Sequence, residues 1–167
     1  ASTKQADSDS SLGKAQQTLD SLYQHYSAKD SYLLRESYPF DEQHKVTYLA
    51  SEDQANTPNQ FSYLWPYSGT FSAVNALFEA THDKKYQKLL DKRVLPGLEE
   101  YFDIQRTPNA YSSYIQTAPT SDRFYDDNVW LGIDFTDIYQ ITQEKRYLDK
   151  AQLIWKFIES GTDSLLG

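Results

Sequence analysis

The chain has 167 residues, 39% of them hydrophobic and 24% charged, enough for one soluble globular domain with a substantial core. Its 16 Lys and Arg against 24 Asp and Glu leave a net charge of -8, which excludes nucleic acid as a partner because phosphate binding needs a basic surface. Cysteine is absent, which excludes disulfides and thiolate chemistry, and no apolar run approaches the ~18 residues of a membrane-spanning helix.

The opening stretch, Ala1 to Ser11, is polar and has no large apolar side chain, so it is expected to be a disordered leader. Such leaders sit between a removed export signal and a folded domain. With no initial Met, trimming and export to the periplasm, cell surface or medium are the expectation. Helical spacing begins at Leu12 and runs to Tyr26 through Ala15, Leu19, Leu22 and Tyr23. A second helix is predicted from Ser68 to Ala80, and a third from Lys84 to Phe102, kinked or split at Pro96 because proline lacks the N–H that closes a turn. A fourth covers Asp126 to Ile141. The fifth covers Lys145 to Ser160, with Gly161 as its stop. Strand signals are confined to two short pieces, Val46 to Leu49 and Ser112 to Ile115, which could pair only locally. The fold class is all-α.

Comparing the chain with itself sharpens this. Thr81-His82-Asp83-Lys84-Lys85-Tyr86 matches Thr142-Gln143-Glu144-Lys145-Arg146-Tyr147 at an offset of 61 residues (Thr142 against Thr81). Each hexapeptide links two predicted helices by a short polar connection, so one antiparallel hairpin recurs. The same offset sets Tyr63-Leu64-Trp65-Pro66-Tyr67-Ser68 opposite Phe124-Tyr125-Asp126-Asp127-Asn128-Val129. In stacked hairpins, equivalent positions emerge at one end. An aromatic cluster and a carboxylate pair should therefore share a face.

Aromatic residues make up 15% of the chain, including 14 Tyr and three Trp. Their apolar faces and polar tips suit stacking on sugar rings, although filling a helical core uses them equally well. Asp126 and Asp127 stand where the fourth helix starts, a place that favours carboxylates even when they only cap or decorate the first turn. The ~100° helical step puts Asp127 and Asp134 within about 20° of each other, with Asp126 and Asp137 on a neighbouring stripe. Asp134 and Asp137 are read as satisfied buried acids. Glycoside hydrolysis uses two close carboxylates, ~5–5.5 Å apart when configuration is retained and ~6.5–9.5 Å when it is inverted. His25, His44 and His82 lack ligand spacing, so no metal site is expected. Lys84, Lys85, Lys92 and Arg93 look like a solvated helix face and turn.

Three stretches together resemble glycoside hydrolase family 76, the bacterial endo-acting α-1,6-mannanases and their fungal cell-wall relatives. They are Tyr63 to Gly69 running into Ser72 to Leu77; Tyr125-Asp126-Asp127-Asn128 with Trp130; and Thr142 through Leu148 to Ala151. The resemblance implies an (α/α)6 toroid of helical hairpins, with the second and fourth helices inner and the other three outer. It implies Asp126 as nucleophile and Asp127 as general acid/base in a retaining double displacement on mannan. Trp65, Tyr67, Tyr125 and Trp130 would be substrate-binding aromatics. No metal or organic cofactor is implied, and the complete protein would be a monomer. Family catalytic domains are roughly twice this length, so residues 12–167 are expected to be an incomplete N-terminal part holding two to three hairpins, poorly stable and inactive alone. Three other readings use the same residues: a non-catalytic glycan binder, a helical-repeat interaction domain in which the Asp pair only caps, and a transglycosidase.

Overall fold

The computed structural model describes residues 2–39 and 60–166, with side chains at 10–39 and 60–161. The strand piece at Val46 to Leu49 lies outside the described residues. Two units form, Ala1–Ser62 and Tyr63–Gly167.

In the first unit, helix α1 spans Ser2–Tyr26. Residues 2–11, expected to be disordered, are helical instead. No Gly or Pro stands between Ser2 and Leu12, so each residue added to the existing helix gains a backbone bond without a new nucleation cost. Beyond α1 the chain turns back through Asp30 at φ 56°. An antiparallel bridge of Ser27 with Leu34 closes the turn, and Leu19, Ala28, Leu33 and Leu34 are buried.

The second unit is built from helical hairpins. Helix α2 spans Leu64–Thr81. It is followed by α3 (Lys84–Leu89), a π-helical turn (Leu90–Val94) and α4 (Leu95–Glu99). A small ribbon pairs β1 (Phe102–Asp103) with β2 (Ala110–Tyr111) in antiparallel register. Helices α5 (Tyr125–Thr142) and α6 (Lys145–Leu166) form the next hairpin. The all-α class holds.

Helix α2 starts four residues earlier than its apolar pattern suggested, and Pro66 does not prevent it. Pro66 lies in the first turn, where a backbone N–H has no helical partner in any case. The third predicted helix is interrupted as expected, but the widened π turn precedes Pro96. The proline ring crowds the carbonyl of residue 92 and cannot donate to it, so the chain loosens before reaching the proline. The helix then ends at Glu99, three residues short of Phe102, which enters β1 instead. Ser112 and Ser113, expected in a strand, bond individually: Ser112 N–H donates to Tyr101 O (2.7 Å) and Ser113 N–H to Asp122 O (2.8 Å).

Gly161 does not stop the fifth helix, which continues to Leu166. A Cβ on Gly161 would stand 2.3 Å from the Tyr125 ring, so glycine serves close approach rather than termination. Gly132 does the same for Trp155, whose indole would lie 3.0 Å from an added Cβ. Helices α2 and α5 pack side by side with Phe71 edge-on to Phe135 at 4.9 Å. Both rings are fully buried, and each burial contributes roughly 2–3 kcal/mol.

The repeat is visible in the backbone. Helices α2 and α5 each have 18 residues. Both begin after an extended residue (Tyr63, Phe124) and end on a left-handed one (His82, Gln143). Thr81 and Thr142 each donate a hydroxyl hydrogen bond to the carbonyl four residues back, at 2.7 and 2.8 Å. Each hydroxyl also accepts the N–H two residues on.

Candidate active site

Asp126 and Asp127 occupy the first turn of α5. The residue before the helix is Phe124, which makes no side-chain cap, and neither aspartate is the cap residue. The capping role is therefore not what the structure gives them. Asp126 is exposed and Asp127 is half-buried. Burial pushes the Asp127 carboxyl above the ordinary carboxylate range, and the neighbouring Asp126 charge pushes it further. One acid is thus biased toward its protonated form beside another in water.

The two aspartates further along α5 separate in the same way. Asp134 is buried, and its Oδ2 accepts a hydrogen bond from Ser72 Oγ on α2 at 2.6 Å. Burial raises its pKa to about 6, with the Ser72 bond opposing and the Asp137 charge adding. Asn75 Nδ2 donates to the Asp134 carbonyl at 2.9 Å, fixing the same helix pair. Asp137, expected to be buried, is exposed. It sits on the open stripe of α5 with Asp126, Trp130 and Ile133.

Of the four aromatics proposed to bind substrate, the structure brings two together. Trp65 and Trp130, 66% and 55% exposed, line a recess of about 230 Å³ with Pro66, Ser68, Gly69 and Ser72. Trp130 lies one turn from Asp126 and Asp127 on the same helix. Tyr67 points the other way. It is buried, its hydroxyl donates to Val94 O at 2.8 Å, and its ring lies 5.4 Å from that of Tyr101. Residues two apart on a helix face nearly opposite directions, so Trp65 and Tyr67 cannot share a cleft. Tyr125 is partly exposed, but its ring stacks on Phe157 of α6 at 4.8 Å and 15° and lies over Gly161. It holds the helix start in place.

A family model described as glycosyl hydrolase family 76 matches residues 35–165, which include every element of this site. The chain belongs to glycosyl hydrolase family 76. Its all-α hairpins match the helical toroid of that family over part of its circumference. A family 76 glycoside hydrolase (mannosidase) from Bacteroides thetaiotaomicron VPI-5482 superposes with a TM-score of 0.69 at 28% identity, covering 89% of this chain and 37% of that one. A family 76 enzyme from a bovine Bacteroides thetaiotaomicron strain gives 0.66 at 26% identity, covering 89% and 29%. A family 76 α-mannanase of Bacteroides thetaiotaomicron shares the fold at 19% identity with a TM-score of 0.66, covering 88% and 36%. The chain thus spans roughly a third of the length of these solved relatives. A search of curated proteins returns no significant match.

Around the start of α5 in this family 76 chain, several residues hold the backbone in ways the sequence does not disclose. Asn128 is fully buried and bonds only main-chain groups of Tyr111 and Phe124. Asp103, also buried, gathers the loop that leads to α5. It pairs with Arg106 at 2.6 Å and Arg123 at 3.8 Å and accepts Gln105 N–H at 2.8 Å. Burial alone would raise the Asp103 carboxyl, but the Arg106 and Gln105 hydrogen bonds and the Arg106 charge outweigh it and hold it below the usual range. Arg106 also donates to Ser112 Oγ and Ser121 O. The nearest sequence signal was two arginines and an aspartate in a polar loop, a pattern too common to single out.

A hollow of about 300 Å³, larger than the tryptophan recess, opens between α4 and α6. Its charged groups are already joined, Asp91 to Arg146 at 2.7 and 2.8 Å and Glu99 to Lys150 at 2.8 Å. It is an ion-paired seam between helices. Among the described residues, no three His, Asp or Glu side chains group closely enough to hold a metal ion. Nor is any described helix long and apolar enough to cross a membrane.

Proposed function

We propose that the protein is an endo-acting α-1,6-mannanase that hydrolyses its substrate with retention of configuration. The observation that carries this reading is the division between neighbouring acids: half-buried Asp127 is pushed toward its protonated form, while Asp126 stands exposed beside it. Two carboxyls whose environments separate their proton affinities are what acid and nucleophile roles need. Membership of family 76 and the likeness to solved enzymes described as a mannosidase and an α-mannanase support the substrate class.

In this mechanism Asp127 donates its proton to the glycosidic oxygen as Asp126 attacks the anomeric carbon. The C–O bond to the leaving sugar breaks and a glycosyl ester with Asp126 forms. Asp127, now ionised, takes a proton from water as that water attacks the same carbon. The ester breaks and both carboxyls return to their starting states. Trp65 and Trp130 supply flat apolar faces on which pyranose rings stack beside the reacting bond. A polymeric substrate cannot enter a cell intact, so export belongs to the proposal.

The test is hydrolysis of α-1,6-linked mannan oligosaccharides by the full-length protein, with the anomer of the first-formed product read by NMR. The wild type should release the α anomer, and Asp126→Asn and Asp127→Asn should each lower kcat by at least ~10²-fold. Release of the β anomer would overturn the retaining mechanism. Turnover surviving in both variants would remove the pair from catalysis. Undetectable wild-type turnover with oligosaccharide binding intact would favour a glycan binder, to which the exposed tryptophans are equally suited.

A further inference from the structure

We propose that Asn128 is the positioning residue of the carboxylate pair, locking the first turn of α5 to the strand before it and so fixing the direction in which Asp126 and Asp127 project. This rests on the catalytic reading above. Asn128 is fully buried, as is Tyr111. Its Oδ1 accepts Tyr111 N–H at 3.0 Å, and its Nδ2 donates to Tyr111 O at 3.0 Å and Phe124 O at 2.8 Å. Both amide protons and one face of the oxygen are therefore used, all on main chain.

The bracketing is specific. Phe124 precedes α5, and its carbonyl receives both the backbone and side-chain N–H of Asn128. Tyr125, Asp126 and Asp127 are the three residues between those two points. Tyr125 is clamped independently by Phe157 and Gly161. The two aspartates therefore leave a backbone that is held at both ends and tied to β2. Only a carboxamide fits this pattern. Aspartate would turn an oxygen toward two carbonyls, and alanine would leave the buried Tyr111 groups without partners.

The position equivalent to Asn128 in the other hairpin is Tyr67, which also staples its helix start to a main-chain carbonyl, that of Val94. The staple is thus common to both helix starts, but only at α5 does it bracket acids. A small rotation there displaces both carboxyls relative to a bound sugar, and a ~1 Å misplacement can cost about 10²-fold in rate.

The experiment compares Asn128→Ala, Asn128→Ser and Arg146→Gln in the full-length protein acting on an α-1,6-mannan oligosaccharide. Serine adds no charge beside the pair and leaves room for a water to bridge to Tyr111, so it guards against an alanine variant that fails to fold. Both Asn128 variants should lose kcat, by about 10²-fold for alanine, with KM changed less than ~3-fold. The alkaline limb of kcat should move to lower pH, because a loosened turn exposes Asp127 to water and the remaining influence on it is the unchanged Asp126 charge. Arg146→Gln breaks the bidentate pair with Asp91 in the ion-paired seam, outside the site, and should lower Tm while keeping kcat and the pH profile. If a folded Asn128 variant loses Tm but keeps kcat and the wild-type profile, the residue is merely structural and the proposal fails. If Asp126→Asn and Asp127→Asn also retain turnover, it is the catalytic reading that has failed.

Discussion

The starts of α2 and α5 are one backbone carrying two chemistries. Each helix has 18 residues, an extended residue before it and a left-handed residue after it, and equivalent positions are 61 apart. At the second and third helical positions one carries Trp65 and Pro66 and the other Asp126 and Asp127. Both pairs emerge at the same end, and a recess shared by the two helices lies between Trp65 and Trp130. The repeat therefore does more than build a core. It repeats a platform on which one copy presents an indole and a proline and the other two carboxyls.

That division should separate in kinetics. Trp65 is 66% exposed, so removing its ring costs little packing. If it is a sugar platform, Trp65→Ala should raise KM by about 30-fold, roughly 2 kcal/mol, with kcat little changed and Tm unmoved. The aspartate variants at α5 should do the reverse, lowering kcat with KM nearly constant. An unchanged KM in Trp65→Ala would remove the α2 start from substrate binding and break the comparison.

The next largest effect lies where the two helices meet. Asp134 of α5 is held by Ser72 of α2, and burial brings its pKa to about 6, above the ~3.9 of an unfolded chain. Between those values the folded state keeps a proton that the unfolded state releases. The group's contribution to stability is thus fully present below pH ~4 and is lost as pH rises through about 6. Asp134→Asn keeps an oxygen for Ser72 and removes the titration. It should be more stable than the wild type by about 1–2 kcal/mol at pH 7.5 and nearly equal to it at pH 4, as read by chemical denaturation. A constant difference across that range would mean Asp134 does not titrate within the fold. Asp103 should show the opposite slope, since the charge that Arg106 stabilises is lost on acidification through its lowered pKa.

Local chemistry explains what could be read in advance. The Thr81 and Thr142 hexapeptides disclosed the hairpins because a threonine hydroxyl, a left-handed residue and an acid act within six positions of one another. Asp127 and Asp134 were placed on one stripe by helical geometry alone, and the structure finds both turned inward, with Asp126 and Asp137 exposed. That Tyr67 is buried and Tyr125 stacks on Phe157 could not be foreseen, because composition identifies aromatic residues without saying which side of a helix they occupy. Gly161 reads as a stop in the sequence because glycine at a helix end and glycine under a ring look alike in one dimension. Asn128 stands in the stretch that carries the family resemblance, but its sequence context says nothing of its role. Its partners are backbone groups, and Tyr111 lies 17 positions away, a distance no periodicity spans.

The smallest effect tests whether the two hairpins match energetically as well as geometrically. His82 (φ 53°) and Gln143 (φ 59°) both adopt the left-handed conformation that glycine reaches without side-chain cost. Replacing either with glycine relieves roughly 1 kcal/mol of that cost while giving back much of it through a more flexible unfolded chain, for a net gain of about 0.5 kcal/mol. The two gains should not be identical. Gln143 Nε2 donates to Gln140 O at 3.1 Å at the end of α5, whereas His82 makes no side-chain hydrogen bond among the described residues. His82→Gly should therefore stabilise more than Gln143→Gly, with the denaturant m-value unchanged in both. A larger gain at Gln143 would mean that its side-chain bonds to the helix end contribute nothing, and that the two connections differ in some way their matching backbones do not express.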